Sequence, residues 1–163
     1  MGTRSGSIDP TVVTYIMKKE GLSPDEAEKL LNSKSGLLGI SGVSSDGRDI
    51  CDAAEKGNAR AALALSILTH YIKKIIGSYV AEMNGVDALV FTAGIGENDR
   101  DLRENVCADM SYLGIEIDRE INRTCPRGET AELTAKGAKT RTFVIPTNEE
   151  YMIALDTLAL ASK

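Results

Sequence analysis

DALVFTAGIGEN, residues 87–98, compresses a strand, a turn and the start of a helix into twelve residues. The nearly continuous apolar run over 88–92 predicts a strand buried on both faces. Two glycines and an alanine follow, and then Leu102, Val106, Met110 and Leu113 recur at helical spacing up to Gly114. A turn with so little side chain leaves its backbone open to close approach. The visitor is either a ligand or the protein's own chain; in the plain tight-turn reading Asn98 is simply a helix N-cap.

The design recurs at TRTFVIPTNEEYMIALDTLALA, residues 140–161, where a strand over 141–145 runs into a helix from about 148. Ligands of open α/β sheets lie beyond the carboxyl ends of the strands, so both turns belong on one sheet edge. Helix N-termini there present unpaired N–H groups and a partial positive charge, which suits phosphate or sugar oxygens. The named phosphate loops are missing. No G-x-x-x-x-G-K-[ST] string occurs, and Asp99 stands where the dinucleotide fingerprint needs a third glycine. In PTNEE, 146–150, Thr147 and Glu150 have capping-box spacing. Glu149 is left over, either as a solvated first-turn acid or as a carboxylate orienting a water on Mg²⁺.

Upstream, residues 1–9 read as a loop in which Arg4 stands among small residues, GTRSG. Such an arginine can neutralise developing phosphoryl charge, although a surface loop arginine is the commoner case. A helix is expected from Pro10 to Gly21, and a second opens on a capping box with Ser23 as N-cap, Pro24 at N1 and Glu26 at N3. The Gly/Ser-dense stretch 36–49 reads as a loop; its SSDGRD segment is a turn at Asp46–Gly47 or a contact to adenine or ribose. Helices are expected over 49–56 and 58–84, the longer one closing at Asn84–Gly85. IEID, 115–118, resembles a short strand, and 119–139 is turn-rich with one strand near 130–134. His70, the only histidine, falls among core-spaced residues and reads as a structural or surface residue, not a catalytic base.

Strands alternating with helices give an α/β class. With 163 residues and 42% hydrophobic content the chain can bury an aliphatic core. A net charge of −5 argues against a nucleic-acid surface. Cys51, Cys107 and Cys125 show no CxxC pairing, and reduced thiols in a cytoplasmic protein are expected. MGTRSGSIDP has no apolar signal region, and charged residues interrupt the most apolar segment, 61–83, so no membrane association is expected.

Taken in order, GTRSGSIDP, SGVSSDGRD, FTAGIGEN, LGIEID and VIPTNEE resemble the C-terminal half of the acetate kinase family over essentially all 163 residues. The resemblance implies a partial ribonuclease-H-like (actin-like ATPase) domain with a mixed sheet flanked by helices. Residues 1–163 would be the nucleotide-binding C-terminal domain. It also implies Mg²⁺-dependent, reversible phosphoryl transfer between ATP and acetate, giving ADP and acetyl phosphate, in a homodimer. On the same basis Arg4 falls on the active-site arginine. Asp46, Gly47 and Arg48 fall on a nucleotide-contacting loop, Gly94, Ile95, Gly96, Glu97 and Asn98 on the nucleotide-facing glycine turn, and Glu149 on the Mg²⁺-associated glutamate. Ala93 stands where the family often has another glycine. The family's amino-terminal phosphate turns, catalytic Asp and active-site His have no counterpart in these residues. The chain alone is therefore expected to be inactive for want of that half. A propionate or butyrate kinase portion and a non-catalytic dimerisation module are the other readings.

Overall fold

The computed structural model describes residues 1–162. They fall into two compact units that divide within the long helix, Met1–Ile72 and the residues from Lys73 on. In the first unit, α1 (Pro10–Glu20) starts where Asp9 accepts a hydrogen bond from the Thr11 amide and stops at left-handed Gly21. Helix α2 (Pro24–Ser33) carries the expected capping box: the Glu26 amide donates to Ser23 Oγ, and the Ser23 amide donates to Glu26 Oε2 at 2.8 Å.

The stretch 36–49 is not the loop its glycines suggest. It holds α3 (Gly36–Ser41) and the start of α4 (Gly47–Glu55). Helix α3 has no side-chain cap; instead its first amides, on Leu37 and Leu38, donate to the carbonyls of Met1 and Gly2 at 2.9 and 3.0 Å. A tertiary contact replaces the local capping signal. Arg60 closes the other end, donating to the Gly39 and Ile40 carbonyls. Leu37 of α3 and Ile50 of α4 then meet Ala61 and Ala64 of α5 (Ala59–Glu82) as the core of this unit.

In the second unit, β1 (Ala88–Phe91) leads to α6 (Ala93–Asn98) and α7 (Arg100–Cys107). A single 3-10 turn at Ser111–Leu113, α8 (Arg119–Thr124), β2 (Ala131–Glu132), β3 (Arg141–Val144) and α9 (Glu149–Ala161) follow. The sheet order is β1-β3-β2, with β1 parallel to β3 from Ala88↔Arg141 to Phe91↔Val144 and β2 antiparallel to β3. A mixed sheet is the expected result. Its two main strands are not buried on both faces, however: Val90 is 44% exposed, and exposed Arg141 lies over the Phe143 ring and pairs with Glu132. IEID makes only the isolated bridges Ile115↔Thr140 and Ile117↔Thr134. The helix expected to reach Leu113 breaks after Cys107, where Asp109 turns left-handed at φ 60°. The stretch 119–139 contains α8, started by Asp118 accepting from the Ile121 amide.

Leu102, Val106, Met110, Ile115, Leu133 and Val144 bury the interior of this unit. Thr142 is fully buried beside them, and its hydroxyl has no hydrogen-bond partner among the described residues. A buried hydroxyl without a partner carries its whole desolvation cost. Thr142→Val keeps the shape and removes that cost, so it is expected to stabilise the chain by about 1 kcal/mol. Urea unfolding checks this; a loss of stability would mean that the hydroxyl does have a partner.

Candidate functional site

The strands place the two turns of interest side by side. Phe91 and Val144, the last residues of β1 and β3, are register partners, and the Ile145 amide donates to the Phe91 carbonyl at 2.9 Å. Immediately beyond, Thr147 joins the turns. Its hydroxyl donates to Glu97 Oε1 at 3.0 Å and accepts from the Ala93 amide at 2.8 Å, with the Thr92 hydroxyl also at 2.8 Å. Its own amide donates to the same Glu97 oxygen at 2.9 Å. One hydroxyl proton and two lone pairs are thereby all in use. The bond from the Thr147 amide leads in holding the Glu97 carboxyl below its ordinary range.

The capping box expected at Thr147–Glu150 is therefore absent. Asn148, left-handed at φ 51°, is the N-cap residue of α9, and it makes no side-chain cap bond. The glycine turn itself is the short helix α6, and Asp99, not Asn98, caps the helix after it, accepting from the Leu102 amide. Asn98 turns back to donate to the Gly94 carbonyl.

The two glycines differ in role. A Cβ on Gly94 would meet open space, whereas one on Gly96 would lie 3.3 Å from the Phe91 main chain. Gly96 lets α6 pack on β1; Gly94 leaves the outer backbone bare. Ala93 sits at φ 57°, in the left-handed region that favours glycine.

Beneath this turn lies a cation that the sequence did not single out. Arg103 is fully buried, with Nη1 donating to the carbonyls of Gly96 and Glu97 at 2.8 Å each and Nε to Asn122 Oδ1 at 2.8 Å. Nη2 reaches the Asn122 carbonyl at 3.4 Å, and the Asn122 amide group donates to the Arg100 carbonyl. Burial weakens the guanidinium's hold on its proton, but an arginine remains charged at neutral pH. It thus places a positive charge at the carbonyl end of α6. Cys107 and Cys125 are buried near it, and burial pushes the Cys107 thiol up to about 12.

Glu149, the first residue of α9, is exposed two residues past the Thr147 junction. Among the described residues no group of three His, Cys, Asp or Glu side chains could hold a metal. The local donor set is thus one carboxylate, which fits Mg²⁺ only as a contact completed by water and phosphate oxygens.

In the first unit, residues 1–5 are pinned. The Ser35 amide donates to the Thr3 carbonyl and the Ser5 amide to the Leu31 carbonyl, both at 2.8 Å. A Cβ on Gly2 would come 3.0 Å from the Ser45 carbonyl, so GTRSG lies against SSDGRD. Arg4 is exposed, and its side chain makes no hydrogen bond or ion pair among the described residues. Asp46 is the N-cap of α4, accepting from the Arg48 amide, and forms a bidentate pair with the Arg48 side chain at 2.6 and 3.1 Å. The Arg48 hydrogen bonds hold the Asp46 carboxyl down to about 2. Open space surrounds Gly47 where a Cβ would stand. His70 is exposed, edge-on to Tyr71.

The sequence profile of the Acetokinase family matches residues 1–155. The chain belongs to this family. It is 58% identical over 160 residues to an acetate kinase of Moorella thermoacetica, covering 98% of this chain and 40% of the relative. The crystal structure of Porphyromonas gingivalis acetate kinase superposes with a TM-score of 0.90 at 49% identity, over 99% of this chain and 40% of that one. A propionate kinase from Francisella tularensis superposes at 0.85 with 42% identity, over 94% of this chain and 38% of that one. The chain thus spans about 40% of the length of the curated relatives it matches. Its α/β fold with a small mixed sheet is the actin-like fold of those kinases.

Two residues of this junction are not evident from the sequence. The spacing of Thr147 predicts a local cap, whereas its hydroxyl reaches a residue 50 positions earlier. Arg103 shares helical spacing with buried Val106, Cys107 and Met110, a register that marks it as inward-facing.

Proposed function

We propose that this chain is the nucleotide-binding C-terminal portion of an acetate kinase. In that reaction an acetate oxygen attacks the γ-phosphorus of ATP and the bond to the bridging oxygen breaks. Acetyl phosphate and ADP result, and the reverse reaction returns them. The observation that carries the reading is the joined pair of turns beyond β1 and β3, with open space at Gly94 and free Glu149 on the adjoining turn. In the second unit nucleotide lies along the main chain at Gly94–Gly96; in the first, taken by itself, Asp46, Gly47 and Arg48 form a nucleotide-contacting loop on the family likeness. Arg4, on its pinned segment, neutralises the transferring phosphoryl, a role worth about 10³–10⁵ in rate. Glu149 orients a water on Mg²⁺, which supplies charge neutralisation on the phosphates when bound. Phosphoryl transfer needs donors from several directions, so the 163-residue chain alone is expected to turn over no acetyl phosphate.

We place the protein in the cytoplasm as a homodimer; among the described residues no helix is long and apolar enough to cross a membrane. Tyr71, Ile75 and Tyr79 are exposed at four-residue steps on α5, and exposed Met83 follows just past its end, an apolar stripe suited to association. Propionate as acceptor is the second reading, favoured by the likeness to a propionate kinase; kcat/KM for the two acids in the full-length enzyme separates them.

Calorimetry with Mg·ADP tests the nucleotide assignment. The unsubstituted chain is expected to bind, and Gly94→Leu to bind at least about tenfold more weakly with an unchanged circular dichroism spectrum. The open space at Gly94 makes this a cleaner probe than Gly96, whose replacement strains the packing of α6 on β1. No binding by the unsubstituted chain would overturn the proposal.

A further inference from the structure

Four hydrogen bonds converge on Thr147, and two of them come to one atom of Glu97. The Thr147 amide and hydroxyl both donate to Glu97 Oε1, at 2.9 and 3.0 Å. The hydroxyl, its proton committed to Glu97, presents its lone pairs to the Ala93 amide and to the Thr92 hydroxyl. Glu97 thereby determines which way the Thr147 hydroxyl points. That direction aims a lone pair at the Ala93 amide, next to Gly94, an amide that also acts on the Glu97 carboxylate. On the other side of the junction, Thr147 is two residues from Glu149, where α9 begins. The carboxylate at the tip of α6 thus governs the spacing between the bare backbone and the free acid.

We propose that Glu97 is a positioning residue: through Thr147 it holds the chain bearing Glu149 against the turn bearing Gly94, and it touches neither nucleotide nor metal. This rests on the nucleotide-binding reading above. The role is geometric, because a single oxygen accepts both bonds and the charge is dispensable. A glutamine has one carbonyl oxygen and can accept the same pair. An alanine accepts neither, and a direct metal or phosphate contact would respond in the opposite pattern, with glutamine failing as badly as alanine. Supporting residues of this kind commonly govern the affinity of the groups they orient.

The test uses the 163-residue chain with Mg·ADP in a calorimeter, and amide hydrogen exchange at Thr147. Glu97→Gln is expected to bind within about threefold of the unsubstituted chain. Glu97→Ala and the isosteric Thr147→Val are expected to be at least about tenfold weaker, with the double variant no weaker than either. Thr147→Ser restores the hydroxyl and the affinity. ADP without Mg²⁺ is expected to lose less than Mg·ADP, because Glu149 is the group displaced. The Thr147 amide is protected in Glu97→Gln and exchanges faster in Glu97→Ala. Equal weakening in the glutamine and alanine variants, or full affinity in Glu97→Ala and Thr147→Val, overturns the proposal. If the unsubstituted chain binds no Mg·ADP, the nucleotide reading falls. Exchange then decides the junction alone: equal rates at Thr147 in the glutamine and alanine variants overturn it, and unequal rates sustain it.

Discussion

Replacing Arg103 with methionine is expected to cost about 3–5 kcal/mol, because several buried acceptors lose their donor at once. The methionine fills the space of the alkyl stem, so the loss isolates the guanidinium. Its removal strands the Gly96 and Glu97 carbonyls and Asn122 Oδ1, each of which takes a hydrogen bond from it at 2.8 Å. Every stranded acceptor costs about 1–3 kcal/mol, part of which the loosened turn recovers by letting water in. Domains of this kind are stable by only about 5–15 kcal/mol in all, so the melting temperature should fall by roughly 10 °C or more. Lysine keeps the charge but cannot supply the fork, and is expected to fail nearly as badly. Thermal unfolding of Arg103→Met and Arg103→Lys decides; a melting point unmoved in both would remove Arg103 from the account of the turn.

The second large effect is expected at Gly36. It is left-handed at φ 60°, and a Cβ there would overlap the Met1 carbonyl and lie 2.8 Å from that of Arg4. Alanine costs about 1–2 kcal/mol for the conformation alone. The obstructing atoms are main chain and cannot swing aside as a side chain tip would. The expected outcome of Gly36→Ala is release of the amino-terminal segment, with loss of the bonds from Leu37 and Leu38 to the Met1 and Gly2 carbonyls. Hydrogen exchange at those amides should speed up, and trypsin should cut after Arg4 faster than in the unsubstituted chain. Unchanged cleavage and exchange would show that the segment is held by other means.

These two positions also show where sequence reading stops. The Ser23–Glu26 capping box was legible because both partners lie within one helical turn. The strands around Val90 and Phe143 were legible from their apolar runs, and their shared edge from the general rule for parallel strands. The α3 helix was not, because its first amides find their carbonyls at Met1 and Gly2, beyond any local window. Thr147 misled for the complementary reason: its spacing to Glu150 imitates a local cap, while its hydroxyl serves Glu97 on another turn. Gly94 and Gly96 are identical letters, and only the position of Phe91 assigns one to packing and the other to open backbone. For Arg103 the apolar register was present, but a charged residue in a polar helix reads first as solvated. The spacing at Asp46 reads as a turn or as a ligand contact, and in the structure Asp46 caps α4.

Ala93 makes the pairing of the turns more than a matter of proximity. Its left-handed backbone, at φ 57°, is a bent joint that an alanine on its own would tend to straighten. The latch that keeps it bent, the bond from its amide to the Thr147 hydroxyl, is anchored on the neighbouring arm. A disturbance that pulls the two arms apart would let the joint spring back, and bringing them together would cock it again. Separating the arms would thus remove one of the bonds that offset a conformational cost on the order of 1 kcal/mol at Ala93.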